Sequence, residues 1–305
     1  GVILNGSTVS QWNDCSGNSH NAYQNTIGNQ PSLIQDVLNG LPVLRFNGVN
    51  SYLNFASGFL YNVSDISVFL VIKPVLGMNA GIFAPRDTAL TGIEIMPMTG
   101  AAELRINGNT KYSGGIFSNE FSISAVQYNE NSTAAFRNGI SLSPLTGGNA
   151  LNYNGIYALG KYAASYGAYY SNFDMAEMLI FTAVLGNEER KMVEKYLDYK
   201  YAGPPVNLGS DINVPYGFCG TLLDAGSRFT HFLWSTGDTT QTFGPTQSGT
   251  YSVTATDIFG FLSTDTVQVI MPSLTVFQDT TVCLGDTLHF SVNLGNDYTY
   301  LWLPD

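Results

Sequence analysis

The chain has 305 residues, of which 44% are hydrophobic and only 11% are charged. This length predicts two or more domains, and the hydrophobic fraction is ample for packed cores, so a disordered chain is not the default expectation. The net charge is −11 and Lys and Arg are not clustered. The sequence therefore lacks the basic surface that nucleic acid or an anionic membrane requires. No apolar run is long enough to span a bilayer, so we expect no membrane insertion.

Short apolar or alternating segments separated by Gly-rich turns dominate residues 1–202. The clearest predicted strands are 43–46, 52–55, 66–73, 92–96, 104–106, 121–128 and 133–137. Three Asn-Gly dipeptides predict tight hairpins, because both central residues of a type I′ turn need a positive φ. They begin at Asn47, Asn107 and Asn138. Many short antiparallel strands with one late helix indicate an all-β sandwich of two sheets.

One helix is predicted, directly after the apolar strand at 175–183. Asn187 is its expected N-cap, followed by Glu188 and Glu189 in the first turn, where carboxylates favour the helix dipole. Residues at spacings of three and four form one mainly apolar stripe: Leu185, Glu189, Met192, Val193, Tyr196 and Lys200. We expect the buried residues to be Met192, Val193, Tyr196 and Leu197. Gly203-Pro204-Pro205 ends the helix.

Three separated motifs carry a resemblance to a known fold family. They are WNDCSGN at 12–18, LPVLRFNG at 41–48, and AEMLIF with the EER…VEKYLDYKY helix at 176–201. Together they resemble the concanavalin-A-like and laminin-G-like jelly-roll domains of bacterial secreted proteins. The resemblance implies a jelly-roll β-sandwich with one C-terminal helix over residues 1–202. It leaves the function open, since that family includes lectins, adhesin modules and passengers on enzymes.

An internal repeat follows residue 203. Asp211 and Trp234 recur at a common offset as Asp279 and Trp302, and Tyr251 lies late in the first copy. This pattern resembles the immunoglobulin-like, polycystic-kidney-disease-like repeats of gliding bacteria that use type IX secretion. It implies a complete immunoglobulin-like module at 203–271 and the beginning of a second, incomplete module at 272–305. The chain starts inside the expected first strand, so we expect a processed or truncated product of a longer secreted protein.

A tyrosine-rich segment just before the closing strand is the candidate ligand site. Its members are Tyr162, Tyr166, Tyr169 and Tyr170. Tyrosine rings stack on sugars and their hydroxyl groups form hydrogen bonds with them, so the segment indicates a site for a glycan or surface polymer. The alternative is that these tyrosines pack beneath their own loop.

Calcium is the one candidate cofactor, and none is required. Laminin-G-like sandwiches often hold Ca²⁺ at a rim, and Asn13, Asp14 and Asn18 offer hard oxygen ligands there. The alternative is that Asp14 and Ser16 cap a turn.

The sequence does not indicate a catalytic site. The nearest pair of acids, Asp174 and Glu177, lacks the alternation that places both on one strand face, and we expect Glu177 to be structural and to accept bonds from backbone or loop donors. The histidines His20, His231 and His289 are scattered and have no zinc-binding spacing. We therefore expect no enzyme activity in this stretch of chain.

Two further patterns concern modification. The same bacterial group attaches O-glycans at D-[ST]-[AILVMT] triplets, and the matching threonines are Thr88, Thr239, Thr266, Thr280 and Thr287. The cysteines Cys15, Cys219 and Cys283 form no disulfide framework, and we expect no bridge within the chain.

The sequence as a whole indicates a secreted adhesin on a bacterial cell surface. The jelly roll would recognise a glycan or surface polymer, and the immunoglobulin-like modules would be spacers. Export through the type IX route would bring the protein into contact with outer-membrane machinery. Two alternatives remain: an accessory region of a secreted polysaccharide-degrading enzyme, and a purely structural surface protein.

Overall fold

The computed structural model describes residues 1–77, 80–86, 91–97, 103–113, 115–146, 150–164, 167–214 and 220–272, and also 281, 283–285 and 287. The chain divides into two compact units, Gly1–Pro204 and Pro205–Asp305.

The first unit is built of β-strands and one α-helix. Its strands in chain order are β1 (Val2–Asn5), β2 (Thr8–Trp12), β3 (Ala22–Tyr23), β4 (Ser32–Leu38), β5 (Leu41–Asn47), β6 (Leu53–Asn54), β7 (Ile66–Pro74), β8 (Phe83–Pro85), β9 (Ile93–Met96), β10 (Glu103–Ile106), β11 (Asn109–Ser113), β12 (Ser122–Tyr128), β13 (Ser132–Arg137), β14 (Ile140–Thr146), β15 (Tyr157–Leu159), β16 (Lys161–Ala164), β17 (Gly167–Tyr170) and β18 (Asn172–Phe181). A 3-10 turn spans Ile27–Asn29, and helix α1 spans Asn187–Tyr201.

The strands form a sandwich. One layer has the order β4-β5-β18-β7-β12-β13-β14, and the other has the order β11-β10-β9-β8-β15-β6-β3-β2, with β1 beside β2. The layers join where Thr8 of β2 pairs with Ser32 of β4. Phe46 and Phe173 from the first layer share one buried core with Phe83 from the second. The expected all-β jelly-roll sandwich with one late helix is confirmed.

Two of the three predicted Asn-Gly hairpins are confirmed. Asn107 and Asn138 have φ values of 46° and 50°, and the glycine after each of them also has a positive φ. At Asn47 the prediction is wrong, because the Asn47 side chain accepts hydrogen bonds from Val49 N and Ser51 N and shapes a wider loop. The tight turn between β4 and β5 is instead Asn39-Gly40, with φ values of 48° and 72°.

Strand β18 lies between β5 and β7 and is divided by a bulge. Asn172–Met175 pairs with β5, whereas the ladder with β7 continues to Phe181 and shifts register between Met175 and Glu177. Tyr201 Oη donates a hydrogen bond to Ala176 O at 3.1 Å. Lys200 Nζ lies 2.8 Å from Glu177 Oε2, so the partner of Glu177 is a lysine rather than the expected backbone or loop donors. The bulge thus ties the strand to the last turn of α1.

The N-cap of α1 is Gly186, not Asn187. Gly186 N donates a hydrogen bond to Glu189 Oε2 at 2.7 Å. This capping bond stabilises the first turn of the helix. Asn187 already belongs to the helix, where its side chain accepts a hydrogen bond from Arg190. The loop before the helix is held by Gln127 Nε2, which donates to Leu185 O at 2.9 Å.

The predicted buried face of α1 is wrong apart from Leu197. The buried residues are Arg190, Glu194, Leu197 and Tyr201. Met192 and Tyr196 are 64% and 50% exposed, and Val193 is half-buried. An ion pair replaces the expected apolar contacts: Arg190 bonds to Glu194 while its guanidinium carbon lies 3.9 Å from the centre of the Phe136 ring.

The second unit has two small sheets. Its strands are β19 (Ile212–Asn213), β20 (Leu223–Asp224), β21 (His231–Trp234), β22 (Thr242–Phe243), β23 (Gly249–Thr256) and β24 (Leu262–Ile270). One sheet has the order β19-β24-β23-β21, and the other pairs β20 with β22. Trp234 and Tyr251 are buried in its core on either side of Phe243. The expected incomplete module at 272–305 lies almost wholly outside the described residues.

We predict that Arg190→Met destabilises the protein by about 3 kcal/mol at pH 8, because a buried carboxylate loses its cation. Burial already raises the pKa of Glu194 more than Arg190 lowers it, and removing Arg190 raises this pKa further. A group with a raised folded pKa contributes most below its unfolded pKa and loses that contribution as pH rises. The cost of the substitution is therefore smaller at pH 5 than at pH 8, as urea unfolding at the two values measures.

The matched control for this test is Lys191→Met on the same helix. Lys191 pairs with Glu188, but both side chains are exposed, so we expect a change below about 1 kcal/mol at either pH. Equal effects of the two substitutions would contradict a buried ion pair under α1.

Candidate functional site

The tyrosine-rich segment forms a β-hairpin rather than a loop. β16 pairs with β17 so that Tyr162 faces Tyr169 and Lys161 faces Tyr170. Tyr169 is 41% exposed, whereas Tyr162 and Tyr170 are half-buried. Tyr166 lies outside the described residues. Of the two alternatives drawn from the sequence, Tyr169 fits the exposed ligand contact and Tyr170 fits a packed side chain.

Two glycines place this hairpin close to the core. Gly160 has a φ of 83°, and a Cβ there would lie 2.6 Å from the Phe46 ring, so no other residue fits without displacing that ring. Gly160 N donates to Ile82 O at 2.8 Å. At Gly81 a Cβ would lie 3.1 Å from Tyr162 Cβ. The base of the hairpin is therefore held against β8 and against Phe46 of β5.

A cluster of aromatic rings and cations surrounds the base of the hairpin. We call Tyr52, Arg86, Lys161 and Tyr170 the cation–tyrosine cluster. Lys161 Nζ lies 4.7 Å from the centre of the Tyr52 ring and 5.7 Å from that of Tyr170. Arg86 Cζ lies 5.7 Å from the centre of the Tyr52 ring. These distances are within the range of cation–π attraction.

The sequence indicated only Tyr170 of this cluster. Tyr52 precedes β6, Arg86 follows β8, and Lys161 begins β16. None of these three residues lies in a sequence motif that indicates a binding site. The pairing of β15 with both β6 and β8 brings their segments together. No local pattern predicts that convergence.

The candidate calcium loop is a closed network of its own hydrogen bonds. Asp14 Oδ1 accepts from Ser16 N at 2.7 Å, and Oδ2 accepts from His20 N and Ser16 Oγ at 2.9 Å each. Asn13 Oδ1 accepts from Gln11, and Asn18 donates to Ser16 Oγ. This is the turn-capping arrangement that the sequence left as the alternative. Within the described residues, no group of three or more His, Cys, Asp or Glu side chains is arranged to hold a metal ion.

The two acids weighed for catalysis are bound to different cations. Arg45 donates to both carboxylate oxygens of Asp174 at 2.7 Å across the β5–β18 pairing. Glu177 lies beyond the bulge and pairs with Lys200. A third acid, Glu94, is fully buried and lies 3.7 Å from Arg105. Asp174 and Glu177 thus stabilise the strand and the helix separately instead of meeting at one reaction centre.

The candidate modification sites differ in their setting. Thr239 lies in the loop after β21, Thr266 lies in the middle of β24, and both are exposed, as is Thr287. Thr88 and Thr280 are outside the described residues. Cys15 is a free, exposed thiol, and Cys219 is outside the described residues.

Comparison with solved structures finds a similar fold. The binding domain of Paraclostridial Mosquitocidal Protein 1 is 14% identical, with a TM-score of 0.50, over 84% of this chain and 63% of that one. A structure concerning botulinum neurotoxin type C, whose cell entry depends on two ganglioside molecules, is 11% identical over 75% and 56%, with a TM-score of 0.42. Domain 4 of AbnA, an arabinanase from Geobacillus stearothermophilus, in complex with arabinotriose, is 18% identical over 54% and 81%, with a TM-score of 0.40.

No family model and no curated protein matches the chain. The chain spans 63% of the mosquitocidal binding domain, less than two thirds of it. At this identity the likeness to the mosquitocidal binding domain shows a shared fold, which agrees with the layers described above. Among the described residues, no helix is long and apolar enough to cross a membrane.

We predict that Asp14→Asn destabilises the protein by about 1 kcal/mol at pH 7, because an amide nitrogen replaces the acceptor of the His20 N–H. Burial raises the pKa of Asp14, but hydrogen bonds from Ser16 and His20 lower it by more, so the net pKa lies below its usual range. A group with a depressed pKa contributes stability above its unfolded pKa and loses it as pH falls through the folded pKa. Thermal unfolding should therefore separate the two proteins at pH 7, and the difference should shrink as the pH falls below the ordinary pKa of an aspartate, about 3.9.

Asp36→Asn is the control, since Asp36 is exposed and either side chain tolerates its φ of 55°. A similar loss in both variants would contradict the network around Asp14.

Calcium binding by this loop stays a prediction, and the melting temperature in the presence of calcium tests it. Millimolar calcium should raise the melting temperature of the wild type and leave that of Asp14→Ala unchanged, because the carboxylate is the charged ligand. No shift in the wild type would contradict it.

Proposed function

We propose that the first unit recognises a carbohydrate or surface polymer at the β16–β17 hairpin. The observation that carries the proposal is the exposed ring of Tyr169 on a hairpin whose other face carries Lys161 and Tyr170 of the cation–tyrosine cluster. Exposed aromatic rings with polar tips favour recognition surfaces because they bury large area with few rotatable bonds. The fold shared with a toxin's binding domain is consistent with this role.

The contacts suit a sugar ring. Tyr169 offers a ring for stacking on one face of the hairpin, and on the other face Lys161 offers three N–H donors near the half-buried Tyr170 ring. The tight packing of Gly160 and Gly81 holds the base of the hairpin, so little ordering entropy is lost when a ligand binds.

We propose that the second unit is an immunoglobulin-like spacer, with module bounds of 203–271. Two features support it: a central buried Trp234, and Tyr251, whose hydroxyl donates to the backbone of Gln247 four positions upstream at 2.8 Å. Secretion to a bacterial surface, export by the type IX route and O-glycans on exposed Thr239 or Thr266 belong to the same proposal and rest on the sequence resemblance.

The proposal includes no catalytic role for the residues described. The separate ion pairs of Asp174 and Glu177 favour binding over glycoside hydrolysis, which needs two carboxylates on either side of one bond. The alternative, an accessory region of a polysaccharide-degrading enzyme, would use the same binding site. The full-length gene distinguishes the two, because it would show whether a catalytic domain is present.

We predict that Tyr169→Ala lowers affinity for a polysaccharide ligand by about tenfold, because a stacked ring contributes 1–3 kcal/mol in comparable contacts. Glycan-array binding followed by calorimetry on the best ligand provides the measurement. Tyr199→Ala is the matched control: Tyr199 is 60% exposed on α1 and should have no effect on binding. Unchanged binding in Tyr169→Ala, or an equal loss in both variants, would place the ligand elsewhere.

A further inference from the structure

We infer that the ligand of this site is an acidic saccharide, one that carries carboxylate or sulfate groups. This inference rests on the proposed function and specifies its substrate class. Its basis is the charge of the cation–tyrosine cluster, in which Lys161 and Arg86 approach the same buried ring, Tyr52.

Neither cation of the cluster has a carboxylate partner among the residues the structure describes. In the same unit, most of the other described lysines and arginines do pair with one, namely Arg45, Lys73, Arg105, Arg190, Lys191 and Lys200. Acidic residues outnumber basic ones, 23 to 12, so carboxylates are not scarce in this chain. Two cations gathered at one ring, with no acid paired to them in the described part of the chain, therefore form a local positive site on an acidic protein.

Both charges lie close to the same ring. With distances of 4.7 and 5.7 Å to the same ring centre, the two charges lie no more than about 10 Å apart, comparable with the screening length of about 8 Å at physiological salt. The two like charges therefore repel each other, and an anion bound nearby reduces that repulsion. Tyr52 is only 7% exposed, so its ring belongs to the core. Cation–π attraction to this ring restricts the rotamers of both cationic side chains.

The cluster also favours a sugar over a simple anion. Tyr170 is paired with Lys161 and lies on the same face of the hairpin, so one sugar can contact an aromatic ring and a cation together. A phosphate or chloride ion would use the cations alone. The overall charge of −11 repels polyanions, so binding of an acidic polymer needs a local site of this kind.

The experiment uses the full chain and two pairs of polymers matched in backbone. Polygalacturonate is compared with its methyl ester, and dextran sulfate with dextran, by calorimetry at several salt concentrations. We expect the wild type to bind at least one acidic polymer and to bind its neutral counterpart at least about tenfold more weakly, with affinity falling as salt rises. The two acidic polymers separate a carboxylate ligand from a sulfate ligand.

The variants test whether the cluster is responsible. Lys161→Gln and Arg86→Gln should each weaken binding about tenfold, because each removes a charge-assisted hydrogen bond to the anionic group. Lys161→Arg should retain most of the affinity, which shows that the hairpin still folds around position 161. Lys195→Gln changes the net charge equally on exposed α1 and should have no effect.

Two results would overturn the inference, and they have different consequences. Equal binding of acidic and neutral polymers, or equal losses in Lys161→Gln and Lys195→Gln, would refute the acidic ligand while leaving saccharide recognition intact. No binding of any polymer, acidic or neutral, together with no glycan-array signal, would refute the proposed function as well.

Discussion

The hydrogen-bond ladder between β18 and β7 is the interaction on which the first unit depends. It begins at Phe173 and runs to Phe181 through the bulge at Ala176. The β16–β17 hairpin directly precedes β18 in the chain, and the loop to α1 directly follows it. Because the strand lies inside its sheet, between β5 and β7, both the candidate site and the closing helix are attached to a rigid element.

The sequence predicted the strands and two hairpins because their signals are local. Alternating apolar residues and Asn-Gly dipeptides specify backbone conformation over a few positions, as at Asn107 and Asn138. The buried face of α1 was wrong for a tertiary reason: Arg190 stacks on Phe136, and this contact outweighs the apolar stripe that contains Met192. Spacing along a helix cannot indicate which ring from another strand will face it.

The candidate site was predicted only in part. Tyrosine density identified Tyr169 and Tyr170, but Tyr52 and Arg86 come from distant segments that sheet pairing brings together. The turn-capping role of Asp14 could be predicted from local chemistry, since a carboxylate two residues before Ser16 readily caps its own turn. Sequence reasoning thus identified residue types suited to recognition, while the positive charge beside them became visible only in the folded chain.

The central claim is that the cation–tyrosine cluster is where the ligand binds. Heteronuclear NMR of the labelled protein during titration with short oligogalacturonides tests it most directly, because each perturbed residue is identified by position. The account predicts that the largest shifts occur at Arg86, Lys161, Tyr169 and Tyr170. Shifts confined to the Asp14 loop or to the exposed face of α1 would contradict it.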